Sequence, residues 1–139
     1  VVFHSILKRI ELLKCSTANQ VASAIVNLLS EIDGPFAFTL YDSIRNAFYF
    51  GRDKLGRRSL LIDDSNESLC LSSVGSNQFG NWVELAPRGV YFLDFSNKDE
   101  CNLDIVGWPS DSDCVRDEHS TWNPFPLRSD FSNNNNNNN

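Results

Sequence analysis

Apolar side chains recur at helical spacing at the start of the chain and then switch abruptly to alternation. Val2, Phe3, Ile6, Leu7 and Ile10 share one helix face, which predicts an amphipathic helix over residues 1–14. Cys15-Ser16-Thr17 interrupts it, with Ser16 or Thr17 placed to cap a following helix. Val21, Ile25, Leu28, Leu29 and Ile32 repeat the pattern, so a second helix is expected over about 18–31. Asp33-Gly34-Pro35 ends it, because proline cannot continue a helix and disfavours the α region at Gly34.

From Phe36 the period is two. Phe36, Phe38 and Leu40 alternate with Ala37, Thr39 and Tyr41, which predicts a strand. Asp42–Asn46 reads as a turn, and Phe48 and Phe50 continue into a second, antiparallel strand. The paired aromatics Phe36–Phe38 and Phe48–Phe50 are expected between sheet and helices. Ser59–Ile62 is a short apolar run, Asp63–Glu67 a turn, and Leu69–Val74 and Gly89–Phe95 are further strands. Two helices followed by an antiparallel meander give an α+β fold rather than a doubly wound parallel sheet.

After Ser96 the periodicity fails. Val106–Pro109 and Trp122–Pro126 are apolar islands in a polar stretch, so residues 96–132 are expected to form an irregular linker. Asn133–Asn139 is a low-complexity tail with nothing to bury, for which disorder is expected. Residues 1–95 are thus the folded unit.

Composition narrows the chemistry. Of the 139 residues, 41% are hydrophobic, enough for a core, and the formal net charge is −6. That balance argues against nucleic acid and against an anionic membrane surface, both of which select clustered Lys and Arg. No run of the roughly 20 apolar residues needed to span a bilayer occurs, and no apolar leader opens the sequence. Cys15, Cys70, Cys101 and Cys114 form no CxxC pair, and His4 and His119 stand at no ligand spacing from them, so no metal site is expected. Free thiols in a cytoplasmic protein are the simplest reading. Val1 opens a sequence with no methionine, which points to a piece of a longer polypeptide.

The distinctive chemistry lies in two blocks. Gly34-Pro35-Phe36-Ala37-Phe38-Thr39-Leu40-Tyr41-Asp42 is followed, one hairpin on, by Gly51-Arg52-Asp53-Lys54-Leu55-Gly56-Arg57-Arg58-Ser59-Leu60. Together they resemble the signature of class II glutamine amidotransferases, and Leu71-Ser72-Ser73 and Ala86-Pro87-Arg88-Gly89 fall where that family has its later strands. Phe50–Asp53, Gly56–Leu61 and Cys70–Gly75 are most similar to one branch, the asparagine synthetase domain-containing proteins. The resemblance covers residues 1–95. It implies the C-terminal half of a glutaminase domain with an N-terminal-nucleophile αββα fold.

It also implies where the chemistry would be. The family's nucleophile is a cysteine at the start of the mature chain, whose own α-amino group acts as base. That cysteine and the glutamine-binding groups precede the first helix, so the resemblance assigns no catalytic, cofactor-binding or metal residue to this chain. Glutamine, aspartate and ATP are the implied partners of the intact parent, and ATP with Mg²⁺ belongs to a synthetase domain after residue 139. Ser59 stands where the family has proline, and Val74 where the synthetases have glutamate. Both lean toward the alternative of a non-catalytic pseudo-enzyme or interaction protein that retains the fold.

Read as individual residues, Arg52 and Asp53 are expected to form an ion pair or to bond the backbone of a tight turn. Gly56 should supply a left-handed φ there. Arg57 and Arg58 read as a solvated pair. Cys70 should be a buried or half-buried strand thiol, Cys15 an inert thiol between helices, and His4 exposed.

Overall fold

The computed structural model describes residues 2–63, 68–76, 80–97 and 101–109. Helix α1 spans Val2–Leu12 and α2 spans Ala18–Leu29. Between them the chain reverses through a left-handed residue, Lys14 (φ 48°). Its N–H bonds the Glu11 carbonyl at 3.1 Å, and the next N–H, from Cys15, bonds Ile10 at 3.3 Å. These two bonds satisfy carbonyls that the last helical turn leaves open. Thr17 then caps α2. Its hydroxyl accepts from the Gln20 N–H at 3.3 Å, and the Gln20 side chain accepts from the Thr17 N–H at 3.2 Å. Such a reciprocal capping box satisfies two amides that a helix start exposes.

Burial rather than intrinsic propensity holds α2 in place. Val21, Ile25 and Leu29 are buried together with four alanine and valine neighbours. Each large apolar side chain contributes about 1.5–3 kcal/mol by leaving water. Propensity differences of at most about 0.7 kcal/mol per ordinary residue are small beside that. Helix α1 is a weaker partner. It buries Ile6 and half-buries Ile10 against α2, whereas Phe3 and Leu7, expected on the same buried face, are exposed. Among the described elements α1 packs chiefly on α2, so only one edge of its apolar face is covered.

The strands form two antiparallel sheets. The first contains β1 (Ala37–Asp42), β2 (Ala47–Arg52), β6 (Gly89–Asp94) and β7 (Asn102–Gly107), in the order β1-β2-β6-β7. The second contains β3 (Leu61–Asp63), β4 (Cys70–Ser72) and β5 (Val83–Glu84), in the order β4-β3-β5. The β1–β2 pairing runs Ala37↔Arg52 to Asp42↔Ala47 without a break, so the two aromatic blocks are one hairpin. Its turn is tied by Asp42, whose carboxylate accepts the N–H of Ile44 and the guanidinium of Arg45, while Asn46 takes the left-handed φ of 51°.

The first sheet is a wall between two cores. On one side Ala47, Tyr49, Val90 and Phe92 meet α2, with Phe36, Phe38 and Leu40 at the margin. On the other side Phe50 and Tyr91, stacked with ring centres 5.7 Å apart, meet Leu60, Ile62 and Leu85. The architecture is thus α+β: a helix layer, a four-stranded sheet and a three-stranded sheet. The expectation that all the paired aromatics lie between sheet and helices is half corrected. Phe48 and Phe50 face the second sheet, because a strand sends neighbouring side chains to opposite faces and Tyr49 takes the helix side.

A second correction concerns the polar stretch after Ser96. Residues 102–107 are not irregular but form β7, paired to β6 from Gly89↔Gly107 to Asp94↔Asn102. Val106 and Trp108, read as part of an isolated island, pack at the helix-side core, where Trp108 meets Phe36 edge-on at 6.1 Å. The expectations for the later island and for the asparagine tail lie outside the described residues.

Candidate functional site: the Arg52–Asp53 corner

Where β2 ends, the two charged neighbours turn opposite ways. Both are buried, Arg52 at 5% exposure and Asp53 at 3%. They do not pair with each other. Asp53 closes the turn behind it: its Oδ2 accepts the N–H of Arg57 at 3.1 Å and of Phe36 at 3.2 Å, and its Oδ1 accepts the Leu55 N–H and the Arg57 Nε–H, each at 3.2 Å. Burial by itself raises the Asp53 pKa. The bonds from the Arg57 side chain and from the Arg57, Phe36 and Leu55 amides outweigh it and hold the carboxyl below its ordinary value.

Arg52 reaches across to the second sheet. Its Nη1 pairs with Glu84 Oε1 at 2.7 Å and donates to the Leu85 carbonyl at 3.2 Å, while Nη2 donates to the Gly56 carbonyl. The Glu84 side chain is half exposed, so that ion pair adds at most about 1 kcal/mol. The two carbonyls matter more, since a buried guanidinium without acceptors is costly. Gly56 takes φ 62°, as the sequence predicted. A Cβ there would stand 3.0 Å from the Arg52 Cζ, so the glycine is needed for space as well as for conformation.

The other candidates fall away from this corner. Arg57 and Arg58 are both exposed, as expected, but Arg57 also turns its Nε–H onto Asp53. Cys70 is exposed rather than buried, because Leu69 and Leu71 take the core side of β4 and Cys70 takes the other. Cys15 is buried and points its thiol at the Gln20 carbonyl, 3.7 Å away. His4 is exposed on α1. A cleft of about 520 Å³ lies at the opposite end of the hairpin, between the start of α2 and the β1–β2 turn. Thr17, Arg45, Asp94 and Ser96 line it. Among the described residues no three His, Cys, Asp or Glu side chains are grouped to hold a metal ion. Sequence reading missed Glu84 and Leu85, the far anchors of Arg52. Their signal is not local, since it arises only when β5 pairs with β3.

Comparison with known proteins fits this corner. Residues 11–77 match a family model described as a glutamine amidotransferase domain. That span takes in α2, the hairpin, the Arg52–Asp53 corner and strands β3 and β4. The matched stretch is therefore glutamine amidotransferase-like. The curated relatives that it is similar to include asparagine synthetase domain-containing proteins. The chain is 40% identical over 80 residues to asparagine synthetase domain-containing protein 1 of Mus musculus, covering 54% of this chain and 13% of that protein. The Homo sapiens counterpart is 41% identical over 80 residues, 54% of this chain and 12% of that protein. An asparagine synthetase domain-containing protein of Drosophila melanogaster is 30% identical over 99 residues, 70% of this chain and 17% of that protein. The chain thus spans less than a fifth of the length of these curated relatives. No solved structure matches it.

Proposed function

We propose that this chain is the scaffold half of the glutaminase domain of a glutamine-dependent, asparagine synthetase-like protein. The parent would hydrolyse the glutamine side-chain amide to glutamate and ammonia, and ammonia would then attack an aspartate activated by ATP. The present residues contribute shape rather than chemistry. The observation that carries this reading is the Arg52–Asp53 corner, where every bond of the two charged groups braces a turn or joins the sheets.

ATP and Mg²⁺ would act in a separate synthetase domain. We assign the parent to the cytoplasm, where the free thiols of Cys15, Cys70 and Cys101 would stay reduced. No helix among the described residues is long and apolar enough to cross a membrane.

The test is a glutaminase assay on the intact parent. Glutamate release from glutamine is expected, with asparagine formed when aspartate, ATP and Mg²⁺ are added. Absence of glutamate release would overturn the reading in favour of a non-catalytic protein that keeps the fold, the direction in which Ser59 and Val74 lean.

A further inference from the structure

Cations gather at one end of the first sheet. Strands β2 and β7 flank β6, and both finish at that end, at Arg52 and Gly107. The turn that leaves β2 carries Lys54, Arg57 and Arg58, all exposed. Arg88, also exposed, stands just before β6 begins at the same end. The neighbouring acid, Asp53, lies buried beneath the turn, and Glu84 is engaged by Arg52. On a chain of net charge −6 this is a local reversal of sign. Leu55 sits among these charges at 75% exposure. The bonds from Asp53 and the left-handed backbone of Gly56 hold the turn in one shape, so its charges are presented at fixed positions.

The chain leaves β7 beside this turn. Trp108 donates its N–H to the Arg88 carbonyl at 3.0 Å and sets its ring against Phe36. Phe36 is the residue whose N–H the Asp53 carboxylate holds. The ends of β2 and β7 are two interstrand spacings apart, each about 4.8 Å. Three extended residues span about 10 Å. Residues 111–118, which lie outside the described residues, therefore follow within reach of the turn. Asp111, Asp113, Asp117 and Glu118 give that stretch four acids against one arginine, Arg116.

We propose that residues 111–118 fold back onto the Lys54–Arg58 turn, setting their carboxylates against its cations. Val115, midway along the stretch, gives Leu55 an apolar partner. Exposed ion pairs are weak singly, and screening cuts them off beyond about 8 Å at physiological salt. The short tether from Trp108 makes the encounter intramolecular, which lets several such pairs act together. The acidic stretch thereby fixes where the polypeptide leaves the sheet. This contact goes beyond the glutaminase reading and does not depend on it.

The test is zero-length carbodiimide cross-linking of the intact parent, which joins a lysine amine to a carboxylate touching it, read by peptide mass spectrometry. Lys54 should be joined to one or more of Asp111, Asp113, Asp117 and Glu118 within a single molecule. The yield should fall by about fivefold or more at about 1 M salt, where the screening length is about 3 Å. In Arg58→Lys, which keeps the charge and adds an amine, a second link to the same acids is expected. In Arg58→Glu the yield at Lys54 should drop by about threefold or more. No link from either amine to these four acids, or links to other carboxylates alone, overturns the proposal. A yield indifferent to salt overturns it as well. A link that joins two molecules overturns it too, and assigns the turn to a second copy. Glutaminase activity enters none of these results, so the two readings fail separately.

Discussion

The Asp53 carboxylate accepts the main-chain N–H of Phe36 at 3.2 Å from 17 residues further along the chain, locking the open end of the β1–β2 hairpin. The same oxygen accepts the Arg57 N–H, so one buried carboxylate joins the entry of the hairpin to the turn that leaves it. Removing it in Asp53→Ala strands buried amides, at a cost of about 2–3 kcal/mol. The midpoint of urea unfolding should fall accordingly, with the slope unchanged.

The same carboxylate gives a pH dependence. Its folded pKa lies below the ordinary 3.8, with hydrogen bonds from Arg57, Phe36 and Leu55 prevailing over burial, which pushes the other way. A depressed carboxyl stabilises the fold in full above its unfolded value, and the contribution is lost as pH falls through the folded one. Asp53→Asn should therefore flatten the loss of stability below about pH 4. Unfolding curves from pH 7 down to pH 2 read this directly.

Gly56→Ala is expected to destabilise by about 1–2 kcal/mol from the left-handed backbone alone. The crowding against the Arg52 guanidinium adds to this. Because Arg52 would have to move, hydrogen exchange at Leu85 in the second sheet should quicken as well. A lowered melting temperature with unchanged exchange at Leu85 would separate backbone strain from the loss of the Arg52 bridge.

Gly89 and Gly107 face each other across β6 and β7 but are not equivalent. A Cβ at Gly89 would collide with the Val106 carbonyl oxygen and stand 2.8 Å from the Gly107 Cα, both backbone. At Gly107 the nearest atom would be the Arg88 carbonyl oxygen at 3.7 Å, an ordinary contact. Gly89→Ala should therefore lower the melting temperature by far more than Gly107→Ala, as measured by circular dichroism.

Tyr49 is fully buried on the helix side, and its hydroxyl has no partner among the described residues. Burial, with the Asp42 charge adding to it, pushes its ionisation far above the usual range, so it is neutral wherever the fold is tested. Burying an unbonded hydroxyl costs roughly 1–3 kcal/mol. Tyr49→Phe should be neutral or stabilising, and thermal unfolding will show which.

The helices and the hairpin were legible in the sequence because each follows one period. Thr17 and Gln20 mark the start of α2, and Asp33-Gly34-Pro35 its end. The corner was half legible: Gly56 and the bracing role of Asp53 follow from local chemistry. The destination of Arg52 does not, since Glu84 comes near only through sheet pairing. Strand β5 is two exposed residues, Val83 and Glu84, defined by hydrogen bonds to β3 rather than by any pattern. Strand β7 escaped for a related reason. It is an end strand with Asp104 and Ile105 both exposed, so pairing with β6 holds it more than burial does. Cys70 misled because β4 is also an end strand, and one of its sides faces water.

Strand β2 serves two interiors at once, Ala47 and Tyr49 for one and Phe48 and Phe50 for the other. Gaining or losing a single residue within it would swap both sets of side chains together, sending each to the wrong compartment. A change of chain length inside this strand therefore damages both interiors in one step.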